Sequence, residues 1–284
     1  MAEEPANSLV ASLETTARAI RRDTVRTLYA AGSGHPGGGL SVADLLTALY
    51  FRELRLDPAH PDGPDRDRLV VSDDAAAPAL YAALAERGVL PREALLSVRG
   101  HSGPARSPVD RNPLPTIEAG TGELGPGVGV AIGMALDARL SGRENRVYAL
   151  VGDRECQGGS TWEAFLAAGH FRLANFVAIV ARNRPETAGR AGSALGIEPV
   201  AEKLRAFGFR TLEIDGHSFP EILDAFAEAR KFADGPTAIV ARTVSGKGVP
   251  FLEGQPARHA AALSRSEVER ALRELGSSLE APFP

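Results

Sequence analysis

The chain has 284 residues, of which 44% are hydrophobic and 24% charged, a globular composition that excludes a disordered or fibrous protein. Its 32 basic and 36 acidic residues give a net charge of -4 and are scattered along the chain, so no nucleic-acid partner is expected. No apolar run reaches the roughly 20 residues of a membrane span and the N terminus lacks a signal-peptide pattern, so we expect a soluble, cytoplasmic protein without a membrane partner.

The first predicted element is an amphipathic helix over 8–31, where apolar residues recur every three or four positions. It ends in the glycine-rich loop GSGHPGGG at 32–39. A second helix is predicted from Ser41, because Ser41 and Asp44 occupy the positions of a capping box before an apolar stripe.

Beyond residue 67, short β-branched runs alternate with helical patterns. The predicted strands are RLVVS, RVYALVGD, NFVAIVAR, RTLEIDG and PTAIVARTV, and the predicted helices cover 76–87, 127–140, 160–171, 198–207 and 219–232. This alternation predicts the α/β class, with a doubly wound parallel sheet covered by helices on both faces. We expect a single domain over 1–284, with an N-terminal helical segment at about 8–55 and a short C-terminal tail at about 276–284.

Oxygen-bearing side chains follow two neighbouring predicted strands. Asp153 follows RVYALVG, and Asn183 follows NFVAIVAR one strand–helix–strand unit later. Ligands of doubly wound sheets bind beyond the carboxyl ends of the strands, and such oxygens suit Mg²⁺ that is otherwise held by water and phosphate. The alternative is that Asp153 caps the following helix or lies in a turn and that Asn183 is a turn residue.

Two glycine-rich segments are candidates for phosphate binding. GTGELGPGVG at 120–129 leads into a helix, where glycine lets backbone N–H groups approach an anion, and the loop at 32–39 contains His35. Either segment is equally compatible with a plain turn. Neither contains the glycine pattern of dinucleotide or nucleoside-triphosphate sites.

Six segments, in order and spanning roughly 8–262, resemble the N-terminal, diphosphate-binding half of transketolases. They are SGHPGGGLSVADLLTALYF, DRLVVS, GTGELGPGVGVAIGMALDARL, GDRECQGGSTWEAFLAAGHFRLANFVAIVARN, EIDGHSF and GKGVPFLEGQPARH. The resemblance implies the thiamine-diphosphate-binding fold. It also implies a transferase that moves a two-carbon ketol unit from a ketose or ketose-phosphate donor to an aldehyde acceptor.

The resemblance also implies cofactors and partners. The expected cofactors are thiamine diphosphate and Mg²⁺ or Ca²⁺. Full-length transketolases continue with a pyrimidine-binding domain, so the chain is expected to be the N-terminal subunit of a split enzyme. It would then be active only with a C-terminal subunit carrying that domain, in a heterotetramer with two copies of each chain. Ketoacid dehydrogenases and deoxyxylulose-phosphate synthases share the fold, but WEAFLAAGHFRL and EIDGHSF favour transketolase.

By position, the resemblance assigns the site residues. It makes Asp153 and Asn183 side-chain metal ligands and the carbonyl of Pro185 a backbone ligand. It makes His35 and His259 catalytic, and a histidine suits proton exchange near neutral pH. The implied cofactor-binding set is His35, Gly122, Leu124, Gly152, Asp153, Arg154 and Asn183.

Four positions depart from the family pattern: Ala75 replaces a histidine, Arg154 a glycine, Gly158 a glutamate and Ala181 an aspartate. Two interpretations follow, a catalytic subunit with altered substrate handling or a non-catalytic, regulatory subunit that keeps the fold and the interface. His101 is a candidate to replace the lost histidine. Arg154 is a second candidate, because a guanidinium is well suited to donate to a diphosphate.

The remaining reactive side chains are given structural interpretations. His60, His170 and His217 are interpreted as structural histidines. Cys156, the only cysteine, excludes an internal disulfide and is interpreted as a small buried hydrophobic residue.

Overall fold

The computed structural model describes residues 6–32, 34–97, 117–119, 126–183, 196–255 and 262–280. Its helices are α1 (Ala6–Ala31), α2 (Pro36–Ser41), α3 (Ala43–Ala48), α4 (Ala77–Glu86), α5 (Pro126–Leu140), α6 (Gly159–His170), α7 (Val200–Ala206), α8 (Phe219–Lys231) and α9 (Arg265–Glu274). Its strands are β1 (Arg68–Val71), β2 (Val147–Gly152), β3 (Phe176–Asn183), β4 (Arg210–Asp215) and β5 (Thr237–Thr243). A π-helical turn, Leu49–Glu53, extends α3.

The strands of this described part form one parallel sheet in the order β1-β2-β3-β5-β4. Every residue of β2 is buried, as are the first six residues of β3, because helices cover both faces of the sheet. Gly152 at the end of β2 pairs with Ala181 on β3. This register brings the residues that follow the two strands to the same edge.

Alternate residues of the central strands enter two different hydrophobic layers. Tyr148 and Leu150 of β2 pack with residues of α1, α3, α4 and α8. Ala149 and Val151 pack with residues of α5, α6 and α7. Because successive side chains of a strand point to opposite faces, this division confirms the predicted doubly wound α/β class.

The prediction for the glycine-rich loop was wrong over its second half. Helix α2 begins at Pro36, inside that loop, and Ser41 is its last residue rather than the cap of the next helix. The hydroxyl of Ser41 donates to the carbonyl oxygen of Gly38 at 2.8 Å, and the cap position of α3 belongs to Val42, which makes no side-chain cap. The predicted capping box of Ser41 and Asp44 is therefore absent.

A tertiary contact explains this helix of glycines. A Cβ atom added to Gly38 would lie 2.5 Å from the Cβ of Ala75, so α2 approaches the segment after β1 more closely than a side chain allows. The amide of Gly246, after β5, donates to the carbonyl oxygen of Gly37 at 3.1 Å. Helix α2 is thus held between the segments that follow β1 and β5.

Helix α9 was not predicted. It starts with a capping box between Ser264 and Glu267, and its Val268 and Leu272 pack with Val25 of α1 in a third hydrophobic cluster. The single-domain organisation with a helical N-terminal segment and a short tail stays a prediction. None of the described helices is long and apolar enough to cross a membrane.

Candidate functional site

The ends of β2 and β3 bring Asp153 and Asn183 together. The backbone N–H groups of Arg154 and Asn183 both donate to the carboxylate of Asp153, whose side chain is 19% exposed. Oδ1 of Asn183 accepts a hydrogen bond of 3.1 Å from the hydroxyl of Thr243, at the end of the adjacent strand β5. The two oxygen-bearing side chains therefore meet at one edge of the sheet, as their places after neighbouring strands predict.

The electrostatic surroundings of Asp153 disfavour its ionised form in the free protein. Burial raises its pKa from the usual 3.8 to about 6, and the charge of Asp73 raises it too. Arg182 and the two backbone donors lower the pKa by less than these effects raise it. A carboxylate in this environment gains from an additional positive charge, which a divalent cation would provide.

The donor set fits a hard cation of the Mg²⁺ kind. Asp153 and Asn183 offer carboxylate and amide oxygens, and Mg²⁺ is usually held by few protein oxygens together with water and substrate phosphate. Over the residues that the structure describes, no three His, Cys, Asp or Glu side chains gather as a metal site. The remaining ligands would therefore come from outside those side-chain types.

Helix α5 begins at the same edge. A Cβ atom added to Gly127, in its first turn, would lie 2.4 Å from Oγ of Ser72, the residue that follows β1. Glycine thus permits the N terminus of this 15-residue helix to reach the strand ends. Free backbone N–H groups at such an N terminus attract phosphate groups.

A buried polar layer beneath the edge was missed by sequence reasoning. Glu155, 1% exposed, accepts hydrogen bonds from the hydroxyl of Ser72 and, at 2.9 Å, from the amide of Gly152. A Cβ atom added to Gly152 would lie 2.4 Å from Oδ2 of Asp73. These contacts link the ends of β1 and β2, and the one sequence signal for Glu155 is its place two residues after Asp153.

His35 immediately precedes α2 and is partly buried. Since α2 lies between the segments after β1 and β5, this residue is held at the carboxyl edge of the sheet. The other predicted site residues lie outside the described part of the chain: Gly122, Leu124, Pro185, His259 and, as the alternative histidine, His101.

The residues that depart from the family pattern occupy different environments. Ala75 and Ala181 are 4% and 2% exposed, whereas the side chain of Arg154 is exposed to solvent. Arg154 has an ordinary φ of -64°, so its backbone does not require glycine. Gly158 precedes α6, and a Cβ atom added there would meet nothing closer than the Glu155 carbonyl oxygen at 3.4 Å.

His217 has the structural role predicted for it. Its Nε2 accepts a hydrogen bond of 2.9 Å from the amide of Val244, so Nδ1 carries the proton that it donates to Oδ2 of Asp44 at 2.7 Å. His60 pairs with Asp57 at the surface.

His170 ends α6, with its ring 5.0 Å from that of Phe171. Cys156 is buried, as predicted, and burial raises the pKa of its thiol to about 12, which excludes a thiolate near neutral pH.

A separate cleft of about 690 Å³ is lined by residues of α1, α8, α9 and the loop after β5. Arg21, Asp44 and His217 line it, and these three side chains bind one another. Neither Asp153 nor Asn183 contributes to the cleft. The site at the ends of β2 and β3 is therefore distinct from it.

Comparison with known proteins decides the family. The family described as "Transketolase, thiamine diphosphate binding domain" matches residues 12–284. The chain belongs to the transketolase family. In the crystal structure of transketolase from Campylobacter jejuni, 44% of that chain superimposes on 97% of this one, with a TM-score of 0.88 and 31% identity.

Among curated transketolases, some relatives match over nearly their whole length. The chain is 38% identical over 263 residues to "6-deoxy-6-sulfo-D-fructose transketolase subunit SqwG" of Clostridium sp. (strain MSTE9), covering 93% of this chain and 96% of that protein. It is 34% identical over 271 residues to an apulose-4-phosphate transketolase subunit of Phocaeicola vulgatus, covering 95% and 96%. Mouse transketolase is 36% identical over 98% of this chain, which spans 44% of that protein.

These matches confirm the transketolase resemblance and the thiamine-diphosphate-binding fold. They also confirm the prediction of the N-terminal part of a split, transketolase-like transferase. The transketolase branch is thereby favoured over the ketoacid dehydrogenases and deoxyxylulose-phosphate synthases.

Proposed function

We propose that this chain binds the diphosphate of thiamine diphosphate, through Mg²⁺ or Ca²⁺, at the edge where Asp153 and Asn183 meet. The observation that carries the proposal is this convergence of two hard oxygen donors from β2 and β3, beside the N terminus of α5. Together with a partner subunit, the chain transfers a two-carbon ketol unit from a ketose or ketose phosphate to an aldehyde.

Asp153, Asn183 and the carbonyl of Pro185 hold the cation in this proposal. Gly152 lets the segment after β1 pack against β2, and Gly122 and Leu124 lie over the cofactor. When bound, thiamine diphosphate supplies the centre that stabilises a carbanion. Arg154 places a guanidinium near the diphosphate, where its paired N–H donors match phosphate oxygens.

The two catalytic histidines move protons. His35, held at the carboxyl edge by α2, lies near the cofactor phosphates and the substrate. His259 exchanges a proton near the aminopyrimidine. An imidazole suits both roles, because its proton affinity allows gain and loss of a proton near neutral pH.

The partner is a C-terminal, transketolase-like subunit that carries the pyrimidine-binding domain, in a heterotetramer of two copies of each chain. The relatives named as subunits support this assembly. Their names refer to a sulfo-sugar and to apulose 4-phosphate, so the substrate class proposed here stays at ketoses, aldoses and their phosphates. The sequence also supports a cytoplasmic location, since its one cysteine forms no internal disulfide.

Reconstitution with the partner tests the proposal. We expect no ketol transfer by the purified chain alone and activity once a pyrimidine-binding subunit is added, with thiamine diphosphate and Mg²⁺ required. Activity of the single chain, shown by mass spectrometry to be free of any partner, would contradict the two-subunit proposal. An assembled complex that binds no thiamine diphosphate would favour the non-catalytic, regulatory interpretation.

A further inference from the structure

Arg182 lies beside both proposed metal ligands. It is the residue before Asn183 on β3, and its side chain is 13% exposed. Its Nη1 lies 3.6 Å from Oδ2 of Asp153 and donates to the carbonyl oxygen of Asn183 at 2.8 Å. A guanidinium charge therefore stands next to the carboxylate on which a cation would bind.

The position of this guanidinium does not depend on Asp153. Nε and Nη2 of Arg182 both contact Oε1 of Glu198. Glu198 is itself held, because its other oxygen accepts a hydrogen bond of 3.1 Å from the amide of Val200, the first residue of α7. At 3.6 Å the contact with Asp153 is an electrostatic one rather than a hydrogen bond.

A fixed positive charge has opposite effects on the two components of the site. Solvent screens the pair weakly, since the Asp153 and Arg182 side chains are 19% and 13% exposed. The charge repels a divalent cation on Asp153 and attracts a diphosphate at the same edge. Arg154, in contrast, is exposed.

We propose that Arg182 is a built-in cation of the diphosphate site, which weakens the binding of a free divalent cation to Asp153 and strengthens metal-free binding of a diphosphate. The inference rests on the proposed function, because it takes the ends of β2 and β3 as the diphosphate site. It assigns the balance between metal and diphosphate to one residue that no motif of the chain includes. Glu198 moderates that balance by partly neutralising the guanidinium.

Two binding measurements on the full-length chain test the inference. Free Mn²⁺, followed by its paramagnetic resonance signal, reports cation binding, and calorimetry with inorganic pyrophosphate in chelator reports metal-free anion binding. In Arg182→Gln, Mn²⁺ should bind at least about threefold more tightly and pyrophosphate at least about threefold more weakly. Glu198→Gln, which keeps an oxygen for the amide of Val200, should shift both affinities in the opposite directions.

A matched control is Arg205→Gln. Arg205 is also paired with a glutamate, Glu213, at 2.8 Å, but at half-exposed positions on α7 and β4, and its replacement should change neither affinity. Opposite shifts in Arg182→Gln exclude partial unfolding, because unfolding weakens both kinds of binding.

The outcomes separate the inference from the proposed function. Unchanged affinities in Arg182→Gln, or shifts in the same direction, would overturn the role of Arg182 while leaving the diphosphate site in place. Failure of the wild-type chain to bind both Mn²⁺ and pyrophosphate would overturn the site itself and the role of Arg182 with it.

Discussion

Asp44 of α3 and His217, in the turn after β4, are joined by a hydrogen bond of 2.7 Å between Oδ2 and Nδ1. The same carboxylate receives two hydrogen bonds from Arg21 of α1, at 2.9 and 2.6 Å. These buried contacts connect α1, α3 and the β4–α8 turn. Although burial opposes it, the bonds and charges of His217 and Arg21 hold the pKa of Asp44 below its usual 3.8.

Asp44→Asn should lower the free energy of unfolding by about 2–4 kcal/mol at pH 7, because it leaves the buried guanidinium of Arg21 without its counter-charge. Since the pKa of Asp44 is depressed in the folded state, its contribution is present above the unfolded value and is lost as pH falls through the folded value. Denaturant unfolding from pH 7 to pH 3 measures both effects. The exposed pair of Asp57 and His60 is the control, and Asp57→Asn should change stability by less than about 1 kcal/mol.

Asp153→Asn should stabilise the metal-free protein at neutral pH while removing cofactor binding. Burial raises the pKa of Asp153 to about 6 in the folded state, so its ionisation costs stability as pH rises from about 4 to 6. We expect a gain of about 1–2 kcal/mol at pH 7 that disappears at pH 4. Thermal unfolding in chelator measures it, and an equal gain at both pH values would exclude ionisation as the cause.

Asp153→Ala and Asn183→Ala should each weaken Mg²⁺-dependent binding of thiamine diphosphate by at least about tenfold. The cation has few protein ligands, and a diphosphate without a cation brings uncompensated charge to the site. Calorimetric titration of the assembled complex, with and without Mg²⁺, measures the loss. Unchanged affinity in both variants would favour the non-catalytic interpretation.

Two glycines of one motif should respond differently to alanine. At Gly152 the new Cβ would lie 2.4 Å from Oδ2 of Asp73, so Gly152→Ala should destabilise the protein by about 1–3 kcal/mol. At Gly158 the nearest atom is 3.4 Å away, so Gly158→Ala should change stability by less than about 0.5 kcal/mol. Denaturant unfolding compares them.

The same open space at Gly158 admits the glutamate of the family pattern. Ketol-transfer assays of Gly158→Glu in the assembled complex then report whether the missing carboxylate limits catalysis.

Arg154→Gly should weaken binding of thiamine diphosphate by about 1–3 kcal/mol, the contribution of a charge-assisted hydrogen bond. The ordinary φ of Arg154 means that glycine relieves no backbone strain there, so a change in affinity reports the side chain. Calorimetry on the reconstituted complex measures it. A tighter or unchanged affinity would reject a role for Arg154 in place of the histidine lost at Ala75.

The sequence by itself determined the α/β class, the predicted strands and the meeting of Asp153 with Asn183. Strand and helix periods are local properties of a chain. In a parallel sheet, the carboxyl ends of the strands also lie at one edge, so residues after neighbouring strands meet without further information.

Only the tertiary structure decided the contacts between distant segments. Helix α2 forms from glycines because its backbone packs against Ala75, and Asp44 binds Arg21 and His217 instead of capping a helix. The strand order places β5 between β3 and β4, which brings Thr243 to Asn183. Such contacts depend on which elements are neighbours in space, and no period or spacing along the chain records that arrangement.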